Sequence, residues 1–225
     1  MTFLRTSIPA TRGWTISIRK LVPGKCGAAV DRDYGETVLE TLTFAIMGAW
    51  IFFEVLLIVR DRLHGRGHAD ADRGTRLINA LLVVGTVVVA GDLSTAVHGL
   101  AVPDPTWFRT VGLVIVCLGI ALRVWAITTL GAAFRTTVEV EQGQAIVTSG
   151  PYRWVRHPSY TGMLLIALGF GIAFASWLSL ALCAVLPSLA LIRRIKIEEA
   201  ELLRVVGEPY RAYSAQTKRL IPGIW

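Results

Sequence analysis

The sequence predicts an all-α integral membrane protein of about five transmembrane helices, the last two forming a helical hairpin. Three observations lead there. Of the 225 residues, 53% are apolar and 17% are charged, against about 25% charged in an average soluble domain. The mean hydropathy is +0.55. The charges gather in short clusters between apolar runs, and those runs have the roughly 20-residue length a helix needs to cross hydrocarbon.

The first span is expected over residues 38–59, closed by Arg60, Asp61 and Arg62. A polar loop with Gly65, Arg66 and Gly67 follows, its charges running to Arg76. The second span covers 77–96, is rich in Val, and ends near Asp92 and His98. Pro103 and Pro105 break the chain before a third span over 107–130. Residues 131–158 are mostly polar. The last apolar block, 160–192, would reach about 50 Å as one helix, against a hydrocarbon core of about 30 Å. Ser176 near its middle marks a turn, so the block reads as two short helices, with Pro187 as a kink. The chain thus divides into an extramembrane or interfacial arm (1–36), three spans (37–130), and a region holding the hairpin and C-terminal tail (131–225).

Orientation follows from the basic residues. Arg60, Arg62, Arg66, Arg73 and Arg76 follow span one; Arg135, Arg153 and Arg156 precede span four. The tail carries Arg193, Arg194, Lys196, Arg204, Arg211, Lys218 and Arg219, whereas only Arg109 lies near the connection between spans two and three. With five spans the three basic regions share one side, which the positive-inside rule makes cytoplasmic. The N-terminal arm, with six basic residues against three acidic ones, would lie opposite. That leaves two readings: an arm on the membrane surface, or a span count different by one.

The same rule accounts for the net charge of +7. No recognition motif or aromatic-interleaved basic stripe points to nucleic acid. Cys26, Cys117 and Cys183 form no CxxC, so neither a disulfide framework nor a metal site is expected. Arg5, Arg12, Arg19 and Lys20 interrupt any signal-peptide core. Within the spans, Glu40 and Asp92 sit near helix ends, but Glu54 and Arg123 lie deeper, where an ionisable group costs about 2.5–3.5 kcal/mol. An ion pair, a snorkelling arginine and a substrate contact all fit, and no site role is assigned to them.

Two polar segments carry the chemistry. In residues 147–162, Gly150 and Pro151 signal a turn, and Pro158 disfavours helix at His157. Irregular backbone near membrane depth is tolerated only inside protein or beside a polar cavity. Pro158 suits the first turn of the next helix, whose free N–H groups favour an anion. Arg156, His157 and Tyr160 add donors, so a carboxylate-bearing ligand fits there. An interfacial anchor of Tyr, Trp and Arg fits equally well. In the second segment, Arg194 and Glu198 lie four apart on one helical face, and Lys196 and Glu199 three apart. Alone this is a solvated helix with surface ion pairs. The hairpin, however, returns it to the membrane face from which the first segment entered.

At these residues the chain resembles the isoprenylcysteine carboxyl methyltransferase family, and in part the related phospholipid N-methyltransferases. The shared pattern is Arg156, His157, Pro158, Ser159, Tyr160 and Gly162, an apolar hairpin, then Glu198 and Glu199. Val147, Thr148, Ser149, Gly150 and Tyr152 upstream, and Gly207, Tyr210 and Tyr213 downstream, extend it over about the last 80 residues. The resemblance implies S-adenosylmethionine (S-adenosyl-L-methionine) as methyl donor. It implies a cytoplasmic cofactor pocket formed by the loop before span four and the C-terminal tail. Gln144, Ala145, Ile146, Val147, Tyr152, His157, Pro158, Ser159, Tyr160 and Glu198 would line it, Arg194 would approach the substrate carboxylate, and Arg156 and Glu199 would complete the catalytic set.

Methyl transfer from a sulfonium is an in-line displacement that mainly requires alignment. A carboxylate acceptor, ionised at neutral pH, needs no general base, and Arg194 or Arg156 would orient it bidentately. The partners implied are the bilayer and a lipophilic or lipidated acid. Alternatives are phospholipid amine N-methylation, a sterol-reductase-like enzyme (against which the Glu198–Glu199 pair argues), and a non-catalytic membrane protein. The Ala-, Arg- and Val-rich composition points to a bacterial inner membrane.

Overall fold

A computed structural model describes residues 25–63, 75–131 and 146–224, and their regular structure is helical. The helices are α1 (Lys25–Leu63), α2 (Thr75–Ala96), α3 (Pro105–Leu130), α4 (Pro158–Ala173), α5 (Trp177–Val205) and α6 (Glu208–Gln216), with short 3-10 turns at His98–Leu100 and Gly150–Arg153. Three segments are long and apolar enough to cross a membrane: Tyr34–Arg60, Pro105–Leu130 and Trp177–Val205. Leu81–Ala96 and Pro158–Ala173 are apolar but shorter.

By its contacts the chain separates into two units, Met1–Tyr34 and Gly35–Trp225, and the candidate site lies wholly in the second. α1 begins at Lys25. No proline occurs between Pro23 and Pro103, so no backbone element stops the helix sooner.

Helix starts follow local chemistry. Asp104 accepts a hydrogen bond from the Trp107 amide (3.3 Å), with proline in the first turn of α3. Pro158 opens α4, where its missing N–H removes nothing. The hairpin turn falls at Ser176, as expected, and Ser176 takes the N-cap position of α5. The Val102 amide donates to the Ala175 carbonyl (3.0 Å), tying the α2–α3 connection to this turn. Pro187 lies within a continuous α5, which carries the last apolar run directly into its polar C-terminal third.

The helices pack through small residues. A Cβ at Gly112 would lie 2.4 Å from the Ala173 nitrogen, and one at Gly119 or Gly162 would lie 2.8 Å from the other's carbonyl. Gly169 meets Val116 and Gly112 as closely. These glycines let the α3 and α4 backbones touch, as expected where dispersion rather than water release drives association. Behind them Trp50, Val83, Val87, Ile166, Phe170 and Leu191 form the buried core. The arrangement fixes α3 against the first turn of α4, which bears the polar segment.

Candidate active site

The chain enters the site through the 3-10 turn Gly150–Arg153. Gly150 has φ +57°, and a Cβ there would lie 2.9 Å from Thr129 Oγ1, so both backbone and space select glycine. The C-terminal tail then runs alongside. The Arg156 amide donates to the Lys218 carbonyl (2.7 Å) and the His157 amide to the Arg219 carbonyl (3.0 Å). Thr161 Oγ1 donates to the Leu220 carbonyl (2.9 Å), and Tyr213 Oη donates to the Tyr152 carbonyl (2.7 Å). Tail and loop therefore satisfy one another's backbone at a place where neither is helical.

Glu199 is the node of this frame. Its carboxylate accepts from Arg156 Nε (2.9 Å) and Arg219 Nε (2.8 Å), and lies 3.4 Å from His157 Nε2. Arg156 Nη1 further donates to the Ser214 carbonyl (2.8 Å) and to the Thr217 carbonyl. Two residues expected in the catalytic set are thus bonded to each other and to the tail. The expected surface pairing of Glu199 with Lys196 gives way to a buried one, because Glu199 faces the loop while Lys196 is exposed. The turn of helix that separates the two faces is invisible until the tail covers one of them.

Next to this frame lies a second cluster. Tyr160 Oη donates to Glu198 Oε2 (2.7 Å), and Arg194 Nε reaches the same hydroxyl at 3.4 Å. Arg194, only 3% exposed, and Glu198 are therefore joined through a tyrosine from α4. The His157 ring stacks on Tyr160 with centroids 5.6 Å apart. Tyr152 is buried, within electrostatic reach of Glu198, Tyr213, Tyr160 and Arg123. Burial first, and then the Glu198 charge, push its pKa well above the ordinary tyrosine value. Tyr210 is raised likewise by burial, and Tyr213 is pushed up to about 12 by burial.

The structure thus brings Tyr152, His157, Pro158, Ser159, Tyr160, Arg194 and Glu198 to one region. Ile146 and Val147 lead into the 3-10 turn; Gln144 and Ala145 lie outside the described residues. Two residues without an assigned site role join from below. Arg123 grips Glu54 with both arms (Nε–Oε1 and Nη2–Oε2, each 2.7 Å), and its Nη1 donates to Ser159 Oγ (2.8 Å). The signal available in the sequence was their depth in apolar runs.

Fold and site define a class: an all-helical membrane protein whose polar site is closed by its own C-terminal tail. Residues 111–204 match the sequence model of the isoprenylcysteine carboxyl methyltransferase family. A probable protein-S-isoprenylcysteine O-methyltransferase of Oryza sativa subsp. japonica is 30% identical over 188 residues, 78% of this chain and 96% of that protein. The protein-S-isoprenylcysteine O-methyltransferase of Xenopus laevis is 35% identical over 125 residues, 53% of this chain and 42% of that one. A solved structure of the eukaryotic intramembrane Ras methyltransferase of this family superposes with a TM-score of 0.59 at 26% identity, over 84% of this chain and 68% of that one. The chain belongs to the isoprenylcysteine carboxyl methyltransferase family. It spans nearly all of the rice relative but under half the length of the frog one.

Proposed function

We propose that this chain is an S-adenosylmethionine-dependent membrane methyltransferase that methylates the carboxylate of a lipophilic, isoprenylcysteine-like or other acidic acceptor. The observation that carries this reading, in a member of this family, is the 2.7 Å contact between Tyr160 and Glu198. It joins the loop-side segment and the α5 segment into one pocket wall.

The donor set suits the cofactor. Tyr210 Oη is buried and, among the described residues, has no hydrogen-bond partner, although Glu199, Arg156 and Glu198 all act on it electrostatically. A buried donor of this kind calls for an acceptor. A carboxylate beside tyrosine rings suits a cation. Gln144, Ala145, Ile146, Val147, Tyr152, His157, Pro158, Ser159, Tyr160 and Glu198 are the residues to hold the cofactor, which supplies an electrophilic methyl group on a positively charged sulfur.

Arg194, buried beside Tyr160, orients the acceptor carboxylate, for which no base is needed. Arg156 and Glu199 act as positioning residues: with their hydrogen bonds given to the tail, they hold His157 and the start of α4. The basic regions beside the site support a cytoplasmic face for it, and in the five-span reading the acceptor enters laterally between apolar helices. The Ala-, Arg- and Val-rich composition supports a bacterial inner membrane.

The test is calorimetry of the purified protein with S-adenosylhomocysteine. Binding is expected, and its loss in Glu198→Gln and His157→Ala; absence of binding to the unaltered protein overturns the reading. Transfer of a labelled methyl group to a small S-prenylated N-acylcysteine should then give a base-labile product. A base-stable product would mean amine methylation.

A further inference from the structure

We infer that the buried Glu54–Arg123 pair positions the candidate site, holding the Ser159 hydroxyl so that its proton points to the cofactor. The inference rests on the methyltransferase reading of that site. Glu54 lies on α1, outside the family match at 111–204, so it would give the first span a part in the chemistry.

The geometry is directional. Arg123 is 4% and Glu54 8% exposed. The guanidinium fork meets the carboxylate at 2.7 Å on both arms, and Trp50 Nε1 donates to Glu54 Oε1 (3.1 Å), which steadies the acceptor. A pair built only for charge balance would be complete at that point. Arg123 instead extends Nη1 to Ser159 Oγ (2.8 Å), with a longer approach to the Ser159 carbonyl (3.4 Å).

An arginine has donors and no acceptor, whereas a hydroxyl has one donor and two acceptor lone pairs. With Arg123 donating, Ser159 Oγ is an acceptor toward α3, and its proton is left for a group on the other side. Ser159 lies in the first turn of α4, between His157 and Tyr160. Arg123 also acts electrostatically on Tyr152. One cation therefore underlies two side chains of the pocket wall.

Close packing makes this stiff. Arg123 Cβ and N stand 2.9 Å from where a Cβ on Gly162 would be, so α4 rests directly on the residue that holds Ser159. The register of α3 against α4 and the aim of the Ser159 hydroxyl are one constraint.

Calorimetry with S-adenosylhomocysteine and thermal unfolding separate positioning from mere pairing. Arg123→Lys and Ser159→Ala should each weaken binding about tenfold, and together no more than the worse of the two, because they remove the same contact. The swap Glu54→Arg with Arg123→Glu should recover the Tm lost in either single variant while binding stays weak, since glutamate cannot donate to Ser159. Recovery of both Tm and affinity in the swap, or additive losses in the pair, overturns the inference. Should the swap not fold, the Arg123→Lys and Ser159→Ala pair decides alone. A failure of the unaltered protein to bind is a different result, and it removes the methyltransferase reading itself.

Discussion

In the proposed site, Arg194 and Tyr210 would divide the work between single side chains. Arg194 is buried and reaches Tyr160 Oη at 3.4 Å, the hydroxyl that also meets Glu198, and in the proposed reaction it approaches the acceptor carboxylate. Replacing it with glutamine should lower kcat/KM for the acceptor about 10- to 100-fold, the range for a hydrogen bond to a charged group. Calorimetry should show S-adenosylhomocysteine binding changed far less. Tyr210 makes the opposite case. Its hydroxyl is buried and, among the described residues, has no hydrogen-bond partner, and such a group costs about 1–3 kcal/mol. Tyr210→Phe should therefore leave the Tm of the unliganded protein unchanged or higher, while weakening S-adenosylhomocysteine binding several-fold. A lower Tm with unchanged affinity would mean that the hydroxyl serves the fold alone.

Among the elements, α3 and α4 support the candidate site from beneath because they touch at backbone level. A Cβ on Gly119 would lie 2.8 Å from the Gly162 carbonyl and from the Ile166 nitrogen, so Gly119→Ala must push the helices apart. Overpacking of this kind costs about 1–3 kcal/mol, and it displaces Arg123 beneath Ser159. A lower Tm and weaker cofactor binding are both expected. Gly85 on α2 is the matched control, since among the described residues nothing lies within 4 Å of a Cβ there. Gly85→Ala should stabilise by about 0.5–1 kcal/mol through helix propensity, read in the same thermal melts, with binding unchanged.

Over the whole molecule, the tail is what binds the loop segment of the candidate site. It pairs with the loop through the amides of Arg156 and His157, and Tyr213 anchors it to Tyr152. Deleting residues 217–225 should abolish S-adenosylhomocysteine binding while the helical circular dichroism signal survives, because the core helices do not depend on it. The same tyrosines set an alkaline limit. Tyr213 titrates near 12 in the fold against 10.0 for a free tyrosine. Between those values the unfolded chain releases a proton that the folded chain keeps, so stability is full below pH 10 and falls as pH rises toward 12. A Tm series across that window, with tyrosinate absorbance as the second signal, checks it; a flat Tm would contradict the burial.

Much of this was legible in the chain itself. Apolar runs and proline placement located α2, α3 and the hairpin turn at Ser176 to within a few residues, since hydrocarbon length and a missing N–H are local constraints. The residue types of 147–162 and 193–203, by their resemblance to one family, pointed to a site. Only the tertiary structure decided which acid faces which cation. The sequence places Glu198 and Glu199 side by side with the same charge, but helical geometry turns them about 100° apart. One meets Tyr160 of α4, and the other is buried under the tail with Arg156 and Arg219. Likewise Glu54 and Arg123 are 69 residues apart, and no local pattern links them. Their pairing exists because the α1 and α3 helices bring two buried ionisable groups together.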